Sequence, residues 1–248
     1  ETIDRILLKY LLPPDTAMHD LGIYGMCFKI SVFIVIFIQA FRYAAEPFFF
    51  KEAKEKNAPE TYAMVMNYFI IVCFLMFTGI MLFMDVFKYF VGEKYYAGLV
   101  IVPLLLLGHI FLGIFYNLSV WYKITEMTRY GAWFSIIGTV VVLSLNFLLI
   151  PRLGYMGSAW ANFSCYLIMM VLSWAYGQKY YPIPYRLNKF FLYLLISIVL
   201  WLAGTYLTPS TLLLRLSINT LLFIGFALFI LYKEPELMNF VRKKLTNT

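Results

Sequence analysis

The sequence predicts an all-α, polytopic integral membrane protein with seven transmembrane helices preceded by an N-terminal helix stub. Of its 248 residues, 62% are hydrophobic and 13% are charged, whereas a soluble domain is about 45–50% apolar and about 25% charged. The apolar residues form runs long enough to cross a bilayer, which takes about 20 residues. Because backbone exposed to lipid must satisfy its own hydrogen bonds, each run is predicted to be a helix.

The chain opens with the stub ETIDRILLKYLLPP, which is predicted to be the end of a helix because Pro13 and Pro14 stop it. Since the chain starts inside a helix, at Glu1 and not at a methionine, we expect an N-terminal portion of the protein to precede it. A loop at 13–23 follows the stub, and the longest connection lies at 46–61. The seven spans are predicted at 24–45, 62–87, 99–122, 130–150, 156–177, 190–207 and 212–232.

The distribution of lysine and arginine predicts the orientation of these spans. If the spans alternate in direction, 13 of the 20 Lys and Arg residues fall on one side and six on the other, with Lys29 inside a span. Positive residues collect on the cytoplasmic side of membrane proteins. The larger set is therefore predicted to be cytoplasmic, which puts the loop 13–23 outside and the C-terminus in the cytoplasm. The net charge of +7 follows from this bias, and we expect no nucleic-acid partner.

Residues that typically form disulfides, metal sites and active sites do not occur here in the required patterns. Cys27, Cys73 and Cys165 lie in separate apolar runs without CxxC spacing. His19 and His109 are too isolated to form a zinc site. The sequence also lacks a Ser/His/Asp set, a carboxylate pair in an outer loop and a nucleotide-binding loop. We therefore expect no enzymatic activity, no metal and no cofactor.

Ionisable residues at membrane depth are costly, so each is a candidate for function. Lys29 lies about five residues inside its span, or ~8 Å at 1.5 Å per residue. It either snorkels to the outer interface or faces a water-filled cavity, where it would bind an anion. Arg42 is near the cytoplasmic end of the same span and beside Glu46, so snorkelling or a local ion pair accounts for it. Asp4 and Arg5 are interpreted as a surface ion pair or an interface anchor.

Two further helix faces carry polar residues. In the third span His109, Tyr116 and Lys123 are seven residues apart and lie on one face. Gly113 and Asn117 flank them, and this stripe lines either a polar lumen or a packed interface. In the fifth span, one face carries small and amide side chains that are expected to pack and hydrogen-bond between helices. That face consists of Ser158, Asn162, Cys165 and Tyr166.

Five segments resemble the second lobe of bacterial polysaccharide flippases, which translocate lipid-linked oligosaccharides. In chain order they are ETIDRILLKYLLPP, DLGIYGMCFKISVF, QAFRYAAEPFFF, VGEKYYAGLVIVPLLLLGHIFLGIFYNLSVWYKIT and NFLLIPRLGYMGSAWAN. The resemblance covers nearly the whole chain. The family belongs to the multidrug/oligosaccharidyl-lipid/polysaccharide exporter superfamily. Its members have two six-helix lobes, often followed by two further helices.

The resemblance implies an organisation for the chain. Residues 1–14 would end helix seven of the family, and residues 21–177 would supply the five helices that complete the C-terminal lobe. Residues 189–232 would form two additional transmembrane helices, and residues 233–248 a cytoplasmic tail. The N-terminal lobe of the same chain would then be missing from this sequence and would be a partner of the lobe present here.

The implied activity is translocation of undecaprenyl-diphosphate-linked oligosaccharide repeat units across the bacterial inner membrane, for assembly of O-antigen or capsule. The implied partners are this lipid-linked substrate and membrane lipid. Superfamily members carry a cation near the start of the eighth helix, and Lys29 stands at the matching place, where it would bind the diphosphate. His109, Asn117, Lys123 and Arg5 complete the predicted substrate-binding residues.

Other functions stay open. A multidrug or toxin extruder, or a lipid II-type transporter, would belong to the same superfamily. An extruder predicts a carboxylate deep in a helix, and the predicted spans show no such acid. A membrane-embedded glycan polymerase or ligase predicts a long outer loop with catalytic Arg or His, whereas the outer loops at 88–98, 152–155 and 208–211 are short. A structural membrane scaffold without a substrate is the remaining class.

Overall fold

The described part of the chain is built of helices. The computed structural model describes residues 2–207, 209 and 211–235, and this part contains no β-strand. The α-helices are α1 Thr2–Leu11, α2 Pro14–Glu52, α3 Ala58–Leu82, α4 Met84–Phe87, α5 Val102–Leu118, α6 Val120–Ile124, α7 Arg129–Leu153, α8 Tyr155–Tyr180, α9 Leu187–Tyr206 and α10 Leu212–Lys233. Two 3-10 helices, Lys88–Phe90 and Glu93–Ile101, connect α4 to α5.

Seven of the described helical segments are long and apolar enough to cross a membrane, which confirms the all-α polytopic fold. They are α2, α3, the run Glu93–Ile124, α7, α8, α9 and α10. The expected stub is also present, since α1 ends at Leu11 just before Pro13 and Pro14. The predicted cytoplasmic tail at 233–248 lies mostly outside the described residues, and so do Thr208 and Ser210 of the predicted 208–211 loop.

The structure corrects the predicted ends of the first span. α2 runs over 39 residues, from Pro14 to Glu52, so it takes up nearly all of the loop predicted at 13–23 and the first half of the connection predicted at 46–61. At 1.5 Å per residue it is about 58 Å long, which exceeds the roughly 30 Å hydrocarbon core of a bilayer. The predicted loops were wrong because hydropathy identifies the apolar part of a helix and gives no information about its polar ends.

Local chemistry explains why α2 begins so early. Pro14 occupies the first turn of the helix, where a fixed φ suits the helix and the missing N–H costs nothing. Thr16 donates its hydroxyl to the Pro13 carbonyl at 3.2 Å. One turn further on, the Asp20 carboxylate accepts the backbone N–H of Tyr155, the first residue of α8, at 3.3 Å. The polar start of α2 is thus stabilised by local features at Pro13, Pro14 and Thr16 and by one contact that is remote in sequence.

The chain divides into two compact units. Unit 1 consists of residues 1–70 and 86–186, and unit 2 consists of residues 71–85 and 187–248. α3 contributes its first part to unit 1 and its second part to unit 2, whereas α9 and α10 belong to unit 2 alone.

Glycines bring the helices of unit 1 close together. A side chain at Gly157 of α8 would meet the Leu149 backbone of α7 at 2.6 Å. Gly138 of α7 lies against the Met169 side chain of α8, and Gly98 lies against Ile23 of α2. Small residues at such crossings allow the close backbone approach that holds helices together in a membrane, where apolar burial against lipid contributes little.

Polar contacts join the elements of unit 2. Asn219 of α10 is 1% exposed and donates to the Leu82 carbonyl at the end of α3 at 2.7 Å. Arg215 of α10 forms an ion pair with Asp85 at 2.9 Å. At the opposite end of α10, the carboxylate of Glu234 accepts hydrogen bonds from Lys189 at 2.6 Å and Tyr193 at 2.8 Å. α10 is therefore fixed at both of its ends.

Candidate functional site

A groove of about 330 Å³ opens on unit 1 between α2, α5 and α8. Its volume falls within the range of small-molecule pockets, roughly 300–1,000 Å³. Aromatic and amide side chains make up about half of its wall, and the rest is aliphatic. The lining residues are Val35, Ile38, Gln39, His109, Leu112, Tyr116 and Tyr166.

His109 lies at the floor of this groove. Its side chain is 3% exposed, and Nδ1 donates to the Leu105 carbonyl one turn earlier at 2.7 Å, because a carbonyl can only accept. This bond places the proton of the neutral ring on Nδ1 and the lone pair on Nε2. The ring meets the edge of Phe28 at a centroid distance of 5.4 Å and lies 6.3 Å from the ring of Tyr166. The predicted stripe residue is thus part of the groove.

Arg5 lies beside the same cluster, over the ring of Phe28. Its guanidinium carbon is 5.1 Å from the centroid of the Phe28 ring, whose edge touches His109. A cation over an aromatic face is attracted by the ring quadrupole. α1 therefore brings a positive charge to the His109 side of the groove.

Asp4 and Arg5 do not form the surface pair that we expected. Asp4 is 1% exposed, and its Oδ1 accepts a hydrogen bond from Asn146 of α7 at 3.0 Å. The expectation was wrong because adjacent residues on a helix point about 100° apart and do not face each other. Asp4 instead joins α1 to α7, and the structure supplies the buried carboxylate that the predicted spans did not show.

A second charged cluster lies where the groove approaches the C-terminal end of α2. Lys123 forms an ion pair with Glu46 at 2.7 Å. Arg42 does not pair with Glu46, which was one of its two predicted accounts. Its guanidinium carbon lies 4.8 Å from the centroid of Tyr116, the same tyrosine that lines the groove. A pocket of about 20 Å³ connects these residues with Asn117.

Asn117 is buried in that pocket, with 5% of its surface exposed. Its Nδ2 donates to the Gly113 carbonyl at 3.3 Å. Its Oδ1 has no hydrogen-bond partner among the described residues. A buried acceptor without a donor is costly, by about 1–3 kcal/mol, so this amide is suited to a ligand that donates a hydrogen bond.

Lys29 lies outside the groove. Its side chain is exposed and shares a face of α2 with Phe33 and Ile36, which are 54% and 61% exposed. The residues that line the groove from α2 are Val35, Ile38 and Gln39. Of the predicted substrate-binding residues, His109 lines the groove and Asn117 and Lys123 line its adjoining pocket. Arg5 reaches His109 through Phe28, and Lys29 lies apart from both.

The polar face predicted in the fifth span lies on α8 and makes the expected contacts between helices, with one exception. Asn162 donates to the Tyr24 hydroxyl of α2 at 3.0 Å, and the Cys165 thiol donates to the Gly138 carbonyl of α7 at 3.2 Å. Interhelical packing and hydrogen bonding are thus confirmed for this face. Tyr166, predicted with them, also lines the groove.

The predicted substrate-binding residues did not include the polar residues of α2 that line the groove and its adjoining pocket. Gln39, Arg42 and Glu46 follow one another at intervals of three and four residues, which places them on one side of a helix. That spacing was visible in the sequence. Snorkelling or a local ion pair was the account given for the arginine, and the glutamine was not among the predicted residues.

No protein-family model, no curated protein and no solved structure matches this chain.

Proposed function

We propose that this protein is a flippase that translocates undecaprenyl-diphosphate-linked oligosaccharide repeat units across the bacterial inner membrane. The observation that carries the proposal is the groove of unit 1, which has aromatic and amide side chains along its wall and adjoins a pocket that contains Arg42 and Lys123. Aromatic faces and amides suit a glycan, and cations suit a diphosphate. The segment-by-segment resemblance to polysaccharide flippases supports the same substrate.

The chemistry of transport follows from how these groups are placed. The wall of the groove would hold sugar by stacking on Tyr116 and Tyr166 and by hydrogen bonds to Gln39. Arg42 and Lys123 of the adjoining pocket would hold the anionic linkage. Access would alternate through rocking of the two lobes of the full protein around this site, as inverted or repeated halves do in other transporters.

Complementation tests the proposal. The full-length protein is expressed in a strain that lacks its own polysaccharide flippase, and surface glycan is measured at matched protein abundance. We expect Tyr116→Leu and Gln39→Leu to lower export about tenfold, because each removes a hydrogen-bonding or stacking partner of the substrate. Phe33→Leu is the matched control, since Phe33 lies on the exposed face of α2 and its loss is expected to leave export unchanged.

The role predicted for Lys29 is tested in the same strain. If Lys29 binds the diphosphate, Lys29→Ala and Lys29→Glu lower export, and Lys29→Arg keeps most of it because the charge is retained. Normal export by all three variants at normal abundance would show that Lys29 has no part in binding. No rescue by the unmodified full-length protein would overturn the flippase proposal itself.

An ion-coupled extruder is the second candidate, and Asp4 is the observation that favours it. A carboxylate with 1% exposure that bonds Asn146 is the kind of group that ion-driven exporters need at membrane depth. Uptake assays with a cationic dye in proteoliposomes decide between the two. Dye efflux that requires Asp4, together with no movement of lipid-linked oligosaccharide, would favour the extruder.

A further inference from the structure

The ion pair between Lys123 and Glu46 lines the pocket that adjoins the groove. Lys123 Nζ lies 2.7 Å from Glu46 Oε1, and the space left in the pocket is about 20 Å³, which is room for about one water molecule. The groove of about 330 Å³ shares Ile38 and Tyr116 with this pocket. The pair therefore lies in a pocket that shares part of its wall with the groove.

The charges in the pocket do not balance. Arg42 and Lys123 supply two positive charges and Glu46 supplies one negative charge. Within the described residues Arg42 has no acidic partner, and its guanidinium faces only the rings of Tyr43 and Tyr116, at 5.4 and 4.8 Å. A guanidinium has five N–H donors and no acceptor, and an aromatic face satisfies none of them fully. An anion is the partner that this arginine lacks.

Asn117 gives a second, independent indication of a ligand. It is 5% exposed and lines the same pocket, and its Oδ1 has no donor among the described residues. A hydroxyl group would satisfy this oxygen. The pocket thus has cations for an anion and, beside them, an acceptor for a hydroxyl, which is the pattern of a sugar attached to phosphate.

We propose that Glu46 is a placeholder for the diphosphate of a lipid-linked sugar. In the absence of substrate, the Glu46 carboxylate neutralises Lys123. The diphosphate takes Lys123 from Glu46 and also binds Arg42, while Asn117 accepts a hydrogen bond from the first sugar. A diphosphate carries more negative charge than one carboxylate, and both cations can contact it, so the exchange is favourable. This inference rests on the proposed function.

Binding measurements test the exchange. The full-length protein is placed in lipid nanodiscs, and the dissociation constant for undecaprenyl diphosphate is measured. We expect Glu46→Gln to tighten binding about tenfold, because it releases Lys123 without removing a cation. We expect Arg42→Gln and Lys123→Gln each to weaken it about tenfold, since each removes a charged hydrogen-bond partner. Inorganic pyrophosphate serves as the probe for a free diphosphate and should bind more weakly.

The ion pair between Arg215 and Asp85 provides the matched control. It is also a short pair, at 2.9 Å, but it lies in unit 2 and has no part in the groove. Asp85→Asn should leave the affinity for undecaprenyl diphosphate unchanged. Thermal unfolding is recorded for every variant. If Glu46→Gln does not fold, Glu46→Ala is measured in its place, because it also releases Lys123; Arg42→Gln, which leaves the Lys123–Glu46 pair intact, tests the anion site alone.

Each outcome has a defined meaning. If the wild-type protein binds and transports lipid-linked oligosaccharide but Glu46→Gln binds no tighter or Arg42→Gln binds no weaker, only this inference fails. If the wild-type protein binds no lipid diphosphate, the proposed function and this inference fail together. If inorganic pyrophosphate binds as tightly as the lipid, the ligand is a free diphosphate and the lipid-linked source is wrong.

Discussion

Gly154 joins α7 to α8 in a backbone conformation that other residues rarely adopt. Its φ is +56° and its ψ is −134°, and a side chain there would also overlap the carboxylate of Asp20. That carboxylate holds the first N–H of α8. Gly154 therefore permits both the tight turn and the contact between α8 and α2.

Replacing Gly154 with alanine should destabilise the protein. We expect Gly154→Ala to lower the free energy of unfolding by about 1–3 kcal/mol, because the new Cβ is strained and displaces Asp20. Thermal unfolding in detergent measures this as a lower Tm. The control is Gly25→Ala in α2, where a side chain would meet nothing within 4 Å, and helix propensity predicts a gain of up to about 1 kcal/mol. Equal shifts for the two variants would contradict the strain at Gly154.

The sequence predicted the chemistry of single residues well and their partners poorly. The sequence correctly indicated that His109, Asn117 and Lys123 share a region, because seven- and eight-residue intervals on one helix fix their relative direction. It could not show that Lys123 reaches Glu46, 77 residues earlier. It likewise could not show that Asp4 reaches Asn146, 142 residues later. Such pairs depend on how each helix is rotated about its axis.

The packing of α9 with α10 depends on a glycine in unit 2. A side chain at Gly204 would overlap Leu82 and approach Asn219 Oδ1 at 2.9 Å. Asn219 is the residue that donates to the Leu82 carbonyl. A larger residue at this position would therefore press on the contact that fixes α10 to the end of α3.

We expect Gly204→Leu to destabilise unit 2 by about 1–3 kcal/mol, the usual cost of overpacking. The matched control is Gly225→Leu, also within a helix of unit 2, since a side chain there meets nothing within 4 Å. Hydrogen exchange of α9 and α10 amides is the measurement, because it reports local opening of these helices. Equally fast exchange in both variants would show that a leucine destabilises unit 2 at either position and that the crossing at Gly204 has no special part in its stability.

The elements themselves were predictable to different degrees. Hydropathy located all seven spans, and two prolines located the end of α1, because both signals are local in sequence. The ends of α2 were missed by several residues at both sides. A proline ordinarily ends a helix, yet Pro47 lies inside α2.

At the scale of the molecule, the positive charges predict which ends of the helices face the cytoplasm. The structure supports the alternation on which that prediction depends within each unit. In unit 1 the ends of α2 and α6 meet through Glu46 and Lys123, and in unit 2 Arg215 meets Asp85. In both cases the two residues were predicted to lie on the same side.

Cysteine labelling tests the orientation. Cys27, Cys73 and Cys165 are buried, so the background should be low. Asn57 lies in an exposed turn, so Asn57→Cys should react with a membrane-impermeant maleimide only after the cells are opened. Tyr89→Cys, at a residue that is 69% exposed, should react in intact cells. Neither change alters the lysine and arginine balance. The reverse pattern of labelling would show that the orientation is inverted.

The sequence by itself determined the fold class, the number of spans and the type of each polar residue at membrane depth. These are properties of short segments, because bilayer thickness sets the length of an apolar helix. Prolines and charges likewise affect only the chain around them. Only the tertiary structure decided that α2, α5 and α8 line one groove, that Lys29 lies outside it and that Glu46 pairs with Lys123. Those facts depend on helix rotation and crossing, which close packing at glycines sets and hydropathy does not encode.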